Sequence, residues 1–310
     1  MKKIGILYGM ENSFPEAVVN YINQKKSNIY SAEYLQIGGI KMNELFQYDV
    51  ILDRASHEVP FYRSFLKLAC LNGVYVVNNP FWSCADDNFF NVSLANKINI
   101  KVPRTVLLPS KEHPIGTTSD NMRNLKFPLN WDELFQYVGF PAYIKSNYKN
   151  PHITEYKVYN PQEFFSAYDL TGNLPMLLQE SIEFEHFYKC VTIGKKEVII
   201  LNYDPMKPLH LRYASRNSET SPQLKSKLEE ICIKICTSIG FDFNSIEFAI
   251  KKDEPYPIEF ANPVPYFEKQ FMDPVKFDAV VSKTGDFLIE LTKSKKDRKV
   301  CYNWMHFLKD

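Results

Sequence analysis

"SIEFAIKKDEPYPIEFANPVPYF", residues 245–267, consists of two short apolar runs, each interrupted by one glutamate. In SIEFAI, the residues Ile246, Phe248 and Ile250 alternate on one face of a strand, while Glu247 and Ala249 take the other. In PIEFAN, Ile258 and Phe260 share the core face, with Glu259 and Ala261 opposite. The linker KKDEPY is short and polar, as a hairpin connection should be. A hairpin centred near Asp253 puts Glu247 and Glu259 across from each other. Like charges facing across a ladder repel, and in a partly buried site one is driven towards protonation. A divalent cation held between them removes the conflict. Magnesium takes one or two carboxylates and completes its shell with water and phosphate oxygens. Asn262 offers a neutral oxygen close by. The same alternation also suits two carboxylates on a solvent-facing side of a sheet.

The rest of the chain supplies an ordinary globular setting. It has 310 residues, 45% hydrophobic and 24% charged, enough for two domains or one elaborated domain. Its 37 basic and 36 acidic residues leave a formal charge of +1, which disfavours nucleic acid as a partner and leaves room for a small anion. Six cysteines are scattered without a Cys-x-x-Cys pair. Cys232 and Cys236 fall on one helix face, and the set reads as buried apolar residues in a reducing compartment. MKKIGILYG reads as a first strand and not as a signal peptide. No run approaches the roughly 18 apolar residues that span a membrane. These features point to a cytoplasmic protein.

From the N-terminus, strands and helices alternate. KKIGILYG, AEYLQIG, DVILDR and VYVVNN read as strands. FPEAVVNYINQKK, MNELFQY and PFYRSFLKLACLNG read as the helices between them, with Gly73 closing the last. Such alternation implies a parallel sheet covered on both faces, over residues 1–82. No G-x-G-x-x-G follows the first strand, so no dinucleotide site is expected there. A central part, 83–180, holds a helix opened by Asp86 and Asp87, the strand RTVLLP, a polar loop over 110–130, and further strands at FPAYIKS, EYKVYN and PMLLQES. Long loops of that kind are uncommon and often functional. The last part, 181–310, opens on the hairpin HFYKCVTIG–GKK–EVIILNYD. Its longest amphipathic helix, SPQLKSKLEEICIKICTSIG, has Ser221 as cap, Pro222 in the first turn and Gly240 at the end. The fold class is therefore α/β, with an α+β C-terminal part, and the basic run KSKKDRK near the end reads as a solvated face.

Other groups stand where ligands are commonly held. Lys145 closes an apolar strand, and a strand-end lysine beside a phosphate acts as a point charge. Gln179 and Glu180 end another strand, where they suit the edge of a flat base or simple solvation. Arg212 and Arg216, in LHLRYASR, are able to bind a phosphate or carboxylate bidentately. The six histidines show neither H-x-x-x-H nor H-E-x-x-H spacing, so no zinc site is expected.

Taken in order, the Rossmann-like block, the helix before VPRT, the strand PAYIK, the strand LLQES and the final IEF…PIEFAN resemble the ATP-grasp superfamily. That group includes glutathione synthetase, D-alanine–D-alanine ligase and the ribosomal-protein glutamate ligases. The segments NNPFWSCADD, PRTVLLPSKEHP, YVGFPAYIK, LLQESIEF, YDP and EFANPVP are closer still to an uncharacterised bacterial ATP-grasp group. The resemblance implies an ATP-grasp fold preceded by a Rossmann-like domain. It implies ATP and one or two magnesium ions as cofactors. Lys145 would bind the α- and β-phosphates, Gln179 and Glu180 would lie at the adenine, and Ile182 would begin the hinge. Glu247, Glu259 and Asn262 would hold magnesium, and Arg212 would steady the transferred phosphate. Two departures stand out. The position of Asn88 usually carries a lysine, and residues 146–155, SNYKNPHITE, lack the glycines of the usual phosphate lid. Lys149 or His152 would have to compensate with a side chain.

Two functions fit this pattern. One is an ATP- and magnesium-dependent ligase that joins a carboxylate to an amine, on small-molecule or peptide substrates. The other is a catalytically impaired relative that serves as a nucleotide-binding or partner-binding module, which Asn88 and the glycine-free loop would favour.

Overall fold

The described residues form three four-stranded sheets. The computed structural model describes residues 1–25, 28–81, 87–148, 155–213 and 220–293. Arg216, Lys149, His152, Asp86, Cys84, Cys301, His306 and all of the basic run after Lys293 lie outside the described residues.

The first sheet is parallel, in the order β2-β1-β3-β4: β1 (Lys2–Leu7), β2 (Tyr30–Tyr34), β3 (Val50–Asp53) and β4 (Tyr75–Val77). Its strands are short and apolar because both faces are covered. Helix α2 (Pro60–Leu71) packs Phe65, Leu66 and Ala69 against Leu7, Ile51 and Val76. Gly73, at φ +81°, lets the chain turn out of that helix. The other face, Ile4, Ile6, Val50 and Leu52, meets α1 (Ser13–Gln24) through Phe14, Val18 and Ile22. The stretch MNELFQY is not a helix. Seven residues cannot repay helix nucleation without a packed face. Instead Met42 and Leu45 are exposed, Phe46 packs at a tilt against Phe65 and the Tyr48 hydroxyl donates to Glu33.

The same core is closed from the far end of the chain. Helix α7 (Pro274–Lys293) lies against α1, β1 and β3, and adds Phe277, Val280, Val281, Leu288 and Ile289. The two helices meet closely at Gly285, where an added Cβ would run into the ring of Tyr21. Gly285→Val is therefore expected to cost about 1–3 kcal/mol through overpacking. Thermal denaturation measures this, and an unchanged midpoint would mean that the two helices part freely.

The second sheet, antiparallel in the order β5-β8-β6-β7, contains β5 (Thr105–Leu108), β6 (Ala142–Ser146), β7 (Tyr156–Val158) and β8 (Met176–Glu180). Ala142, Ile144, Met176 and Leu178 point to a core shared with α4 (Trp131–Val138) and α5 (Pro161–Tyr168). By alternation, Tyr143, Lys145 and Gln179 take the opposite, helix-free face.

The third sheet runs β10-β9-β11-β12, all antiparallel: β9 (His186–Ile193), β10 (Glu197–Asn202), β11 (Phe243–Lys251) and β12 (Glu254–Asn262). Tyr188, Cys190, Ile246, Phe248 and Ile250 face α3 (Asn88–Lys97) and α6 (Pro222–Ile239). Helix α6 is bounded as its sequence requires. Leu224 N donates to Ser221 Oγ at 3.2 Å, and Gly240 ends it at φ +95°. Cys232 and Cys236 are fully buried against the sheet. No described helix is long and apolar enough to cross a membrane.

Candidate functional site

The hairpin β11–β12 turns on Lys252 and Asp253, both with positive φ (52° and 59°), the geometry of a two-residue I′ turn. That turn alone pairs Phe248 with Pro257 and would set Glu247 against Ile258. A register shift between Glu247 and Phe248 absorbs one extra residue, and Glu247 pairs with Glu259. The irregularity also changes the faces. Ile258 lines the same cleft as Glu259 and does not sit on the core face, whereas Ala261 joins Phe260 in the core. Strict alternation misassigned both residues for this reason.

Glu247 carries a counter-ion that alternation did not reveal. Its cross-strand partner on β9 is Lys189, whose Nζ donates to Glu247 Oε1 at 2.9 Å. Lys189 is only 5% exposed, and its Nζ sits 4.7 Å from the centre of the Tyr203 ring. Burial alone would lower its pKa. Glu247, with Tyr213 and Tyr203 nearby, outweighs that and holds the ammonium well above the usual lysine range. Tyr213 is pushed up to about 12, chiefly by burial. The repulsion between the glutamates is thus already eased by a lysine, and does not by itself demand a cation. The signal was available in the sequence: HFYKCVTI places one lysine inside an apolar strand, as SIEFAI places one glutamate.

Opposite, the helix-free face of the second sheet contributes Lys145. Its Nζ donates to the carbonyl of Ile258 at 3.4 Å, one residue from Glu259. Together with the Glu247 and Glu259 side of the third sheet, this face encloses a cleft that is open to solvent. Lys145, Gln179, Glu180, Ile182, Glu247 and Glu259 all line it. The apolar part of its wall includes Tyr143, Phe184, Phe187 and Met206, which periodicity could not assign to any site. Gln179 Nε2 donates to Thr105 Oγ1 at 2.9 Å. Glu180 is gripped bidentately by Arg104, with N–O distances of 3.0 and 3.1 Å. Burial raises the pKa of that carboxyl, but the Arg104 hydrogen bonds and charge prevail and keep it below the usual carboxylate value.

Three of the sequence candidates stand outside the cleft lining. Asn262 receives Val264 N on its side-chain oxygen at 3.2 Å, closing the turn after β12. Asn88 donates from Nδ2 to the carbonyl of Ser146 at 3.2 Å, tying the start of α3 to the strand end beyond Lys145. Arg212 donates to the Tyr203 hydroxyl at 3.1 Å and to the carbonyl of Lys207 at 2.9 Å. It reaches the site only through the ring that also carries Lys189. Among the described residues, no three His, Cys, Asp or Glu side chains form a metal-binding group. The acidic centre is the pair Glu247 and Glu259.

No protein-family model and no curated protein matches the sequence. Solved structures do match in shape. A RimK domain ATP-grasp protein from Sphaerobacter thermophilus superposes with a TM-score of 0.64 at 14% identity, covering 93% of this chain and 99% of its own. D-alanine–D-alanine ligase from Bacillus anthracis gives 0.63 at 19% identity, covering 94% and 98%. A RiPP-associated ATP-grasp ligase from Chryseobacterium gregarium, in complex with ADP and a leader and core peptide, gives 0.60 at 14% identity, covering 97% and 100%. The chain has the ATP-grasp fold. Within it, the two departures from the usual ATP-grasp pattern lie together. Phe89 N donates to Asn147 Oδ1 and Asn88 N to Asn147 O, both at 2.9 Å, so the start of α3 is bound to the first residues of the glycine-free stretch. Lys145 lies immediately before that junction.

Proposed function

We propose that this ATP-grasp protein is an ATP- and magnesium-dependent ligase that joins a carboxylate to an amine. The observation that carries the reading is the convergence of Lys145 from one sheet with Glu247 and Glu259 from another across a single cleft. The described chemistry moves the terminal phosphoryl group of ATP to a substrate carboxylate. The resulting acyl phosphate is then attacked by the amine, which releases phosphate. Moving phosphoryl charge is stabilised by fixed cations, and Lys145 would supply one from the cleft wall.

The donor set suits magnesium: two carboxylate oxygens of hard character, with room for water and phosphate to complete an octahedral shell. Glu247 and Glu259 would hold the ion, which supplies charge neutralisation when bound. Lys145 would bind the inner phosphates as a point charge, and Lys189 adds a second ammonium beside the acidic pair. Tyr143, Phe184, Phe187 and Met206 form apolar surface for a flat base, with Gln179, Glu180 and Ile182 at its edge. Glu180 is committed to Arg104, so the edge of the base would be read there by backbone and by Gln179. Asn262 and Arg212 act as supports, the first by shaping the exit of β12 and the second by fixing Tyr203. A similar fold crystallised with ADP and a leader and core peptide makes peptides a reasonable substrate class alongside small molecules.

The test is a thermal-shift titration with ATP and magnesium, followed by assay of ADP release over amino acids, peptides and amines. A ligand that binds only the folded state stabilises it by about 2.7 kcal/mol at 100 times its Kd. A midpoint that rises with ATP and magnesium, and ADP that appears only with a carboxylate and an amine, are expected. No shift at any nucleotide concentration would sink the reading, and a shift without turnover would favour a nucleotide-binding module.

A further inference from the structure

Glu247 and Glu259 stand beside two ammonium groups. Lys189 holds Glu247 Oε1 at 2.9 Å, and Lys145 donates to the carbonyl next to Glu259. Lys189 is not a surface lysine free to swing aside. It lies in mid-strand between buried Tyr188 and Cys190, paired in register with Glu247 and seated over the Tyr203 ring. That ring is braced in turn by Arg212. Resting on the ligase reading above, we propose that Lys189 is a fixed internal counter-ion that keeps bare divalent cations off the Glu247–Glu259 pair, so that magnesium enters only together with nucleotide phosphates.

The reason is electrostatic. A metal ion alone must approach a carboxylate whose charge is already balanced at hydrogen-bond distance, and it is repelled by the ammonium that balances it. In a partly buried site such a repulsion is screened far less than in water. The triphosphate brings several negative charges of its own. With it present, the same ammonium turns from an obstacle into an additional phosphate-facing cation. The protein would then carry no resident metal and would resist loading by stray cations. Glu155 also lines the cleft, and Glu180 is balanced by Arg104. Neither stands in the register pair that Lys189 guards.

Manganese titration followed by electron paramagnetic resonance, with and without a non-hydrolysable ATP analogue, tests the proposal directly. Lys189→Met should bind manganese alone on the order of tenfold or more tighter than the wild type, and should lose most of the wild-type gain in manganese affinity on adding the analogue. Lys189→Gln, which keeps a hydrogen-bond donor without the charge, should do the same and serves if Lys189→Met does not fold. Lys189→Arg should behave as the wild type. Equal manganese affinity in wild type and both neutral variants would overturn the counter-ion role alone, leaving the ligase reading intact. Absence of manganese binding in every protein, even with the analogue, would overturn the metal–nucleotide reading and this inference with it.

Discussion

Replacing Glu259 with glutamine is expected to lower turnover on the order of 100- to 1000-fold, the scale of removing one preorganised electrostatic group from a reaction centre. The substitution keeps the shape and most hydrogen-bonding capacity while removing one charge. Stability should not fall in proportion. Glu247 and Glu259 are register partners, and like charges across a ladder are themselves unfavourable. Loss of activity with an almost unmoved thermal midpoint therefore separates a ligand role from a structural one. The magnesium-dependent part of the nucleotide-induced thermal shift should vanish in the same variant. If turnover survives within a few-fold, Glu259 does not hold the metal, and the centre of the site must be sought elsewhere in the cleft.

A second large effect is expected far from the cleft lining, at Glu11. Its carboxylate accepts Arg54 Nε at 2.7 Å and Nη2 at 2.6 Å, and also Phe267 N at 2.9 Å. The side chains of Arg54 and Glu11 are 0% and 5% exposed. The guanidinium lies 4.8 to 5.8 Å from the rings of Phe14, Phe243 and Phe267, and it donates to the carbonyl of Pro265. Glu11→Ala would strand a buried positive charge, at a cost of about 3–5 kcal/mol. That is a large share of the roughly 5–15 kcal/mol that holds a domain folded. Replacing both partners, Glu11→Leu with Arg54→Met, should recover most of the loss, because the desolvation penalty of both charges disappears together. Urea denaturation of the two singles and the double measures this. A single-variant cost below about 1 kcal/mol would mean that water reaches the pair. Pro265 and Phe267 follow directly on the strand that carries Glu259. The ion pair therefore anchors the exit of the acidic hairpin to the first sheet.

What was legible in the sequence was what local chemistry decides. Ser221, Pro222 and Gly240 mark α6 because capping and left-handed termination are settled within a few residues. The alternating strand–helix block gave the parallel sheet for the same kind of reason. The pairing of Glu247 with Glu259 came through by a partial coincidence. A centre placed at Asp253 gives the right partners, but the real turn is centred half a residue earlier and a bulge makes up the difference. Periodicity contains no bulge, so Ile258 and Ala261 were put on the wrong faces. MNELFQY has helical spacing over too few residues, and Phe46 and Tyr48 find better partners outside a helix. Lys189 was readable as a break in pattern. Its role was not, since that depends on which strand lies alongside. Asn88, Asn262 and Arg212 are neighbours of the cleft whose hydrogen bonds run to backbone and to Tyr203, and only tertiary packing determines such commitments.

The position of α7 bears on how the chain is made. Its residues 277–289 complete a core whose other walls come from residues 4–77 and from Val191, Ile193, Leu201 and Phe243 of the third sheet. Domains synthesised first usually fold first, as the ribosome releases them. Here the first sheet must wait with the Ile4, Ile6, Val50 and Leu52 face incompletely covered until α7 has emerged. Contacts spanning that much sequence are slow to form. Truncation within α7 should therefore expose the first sheet to aggregation and proteolysis before the acidic hairpin.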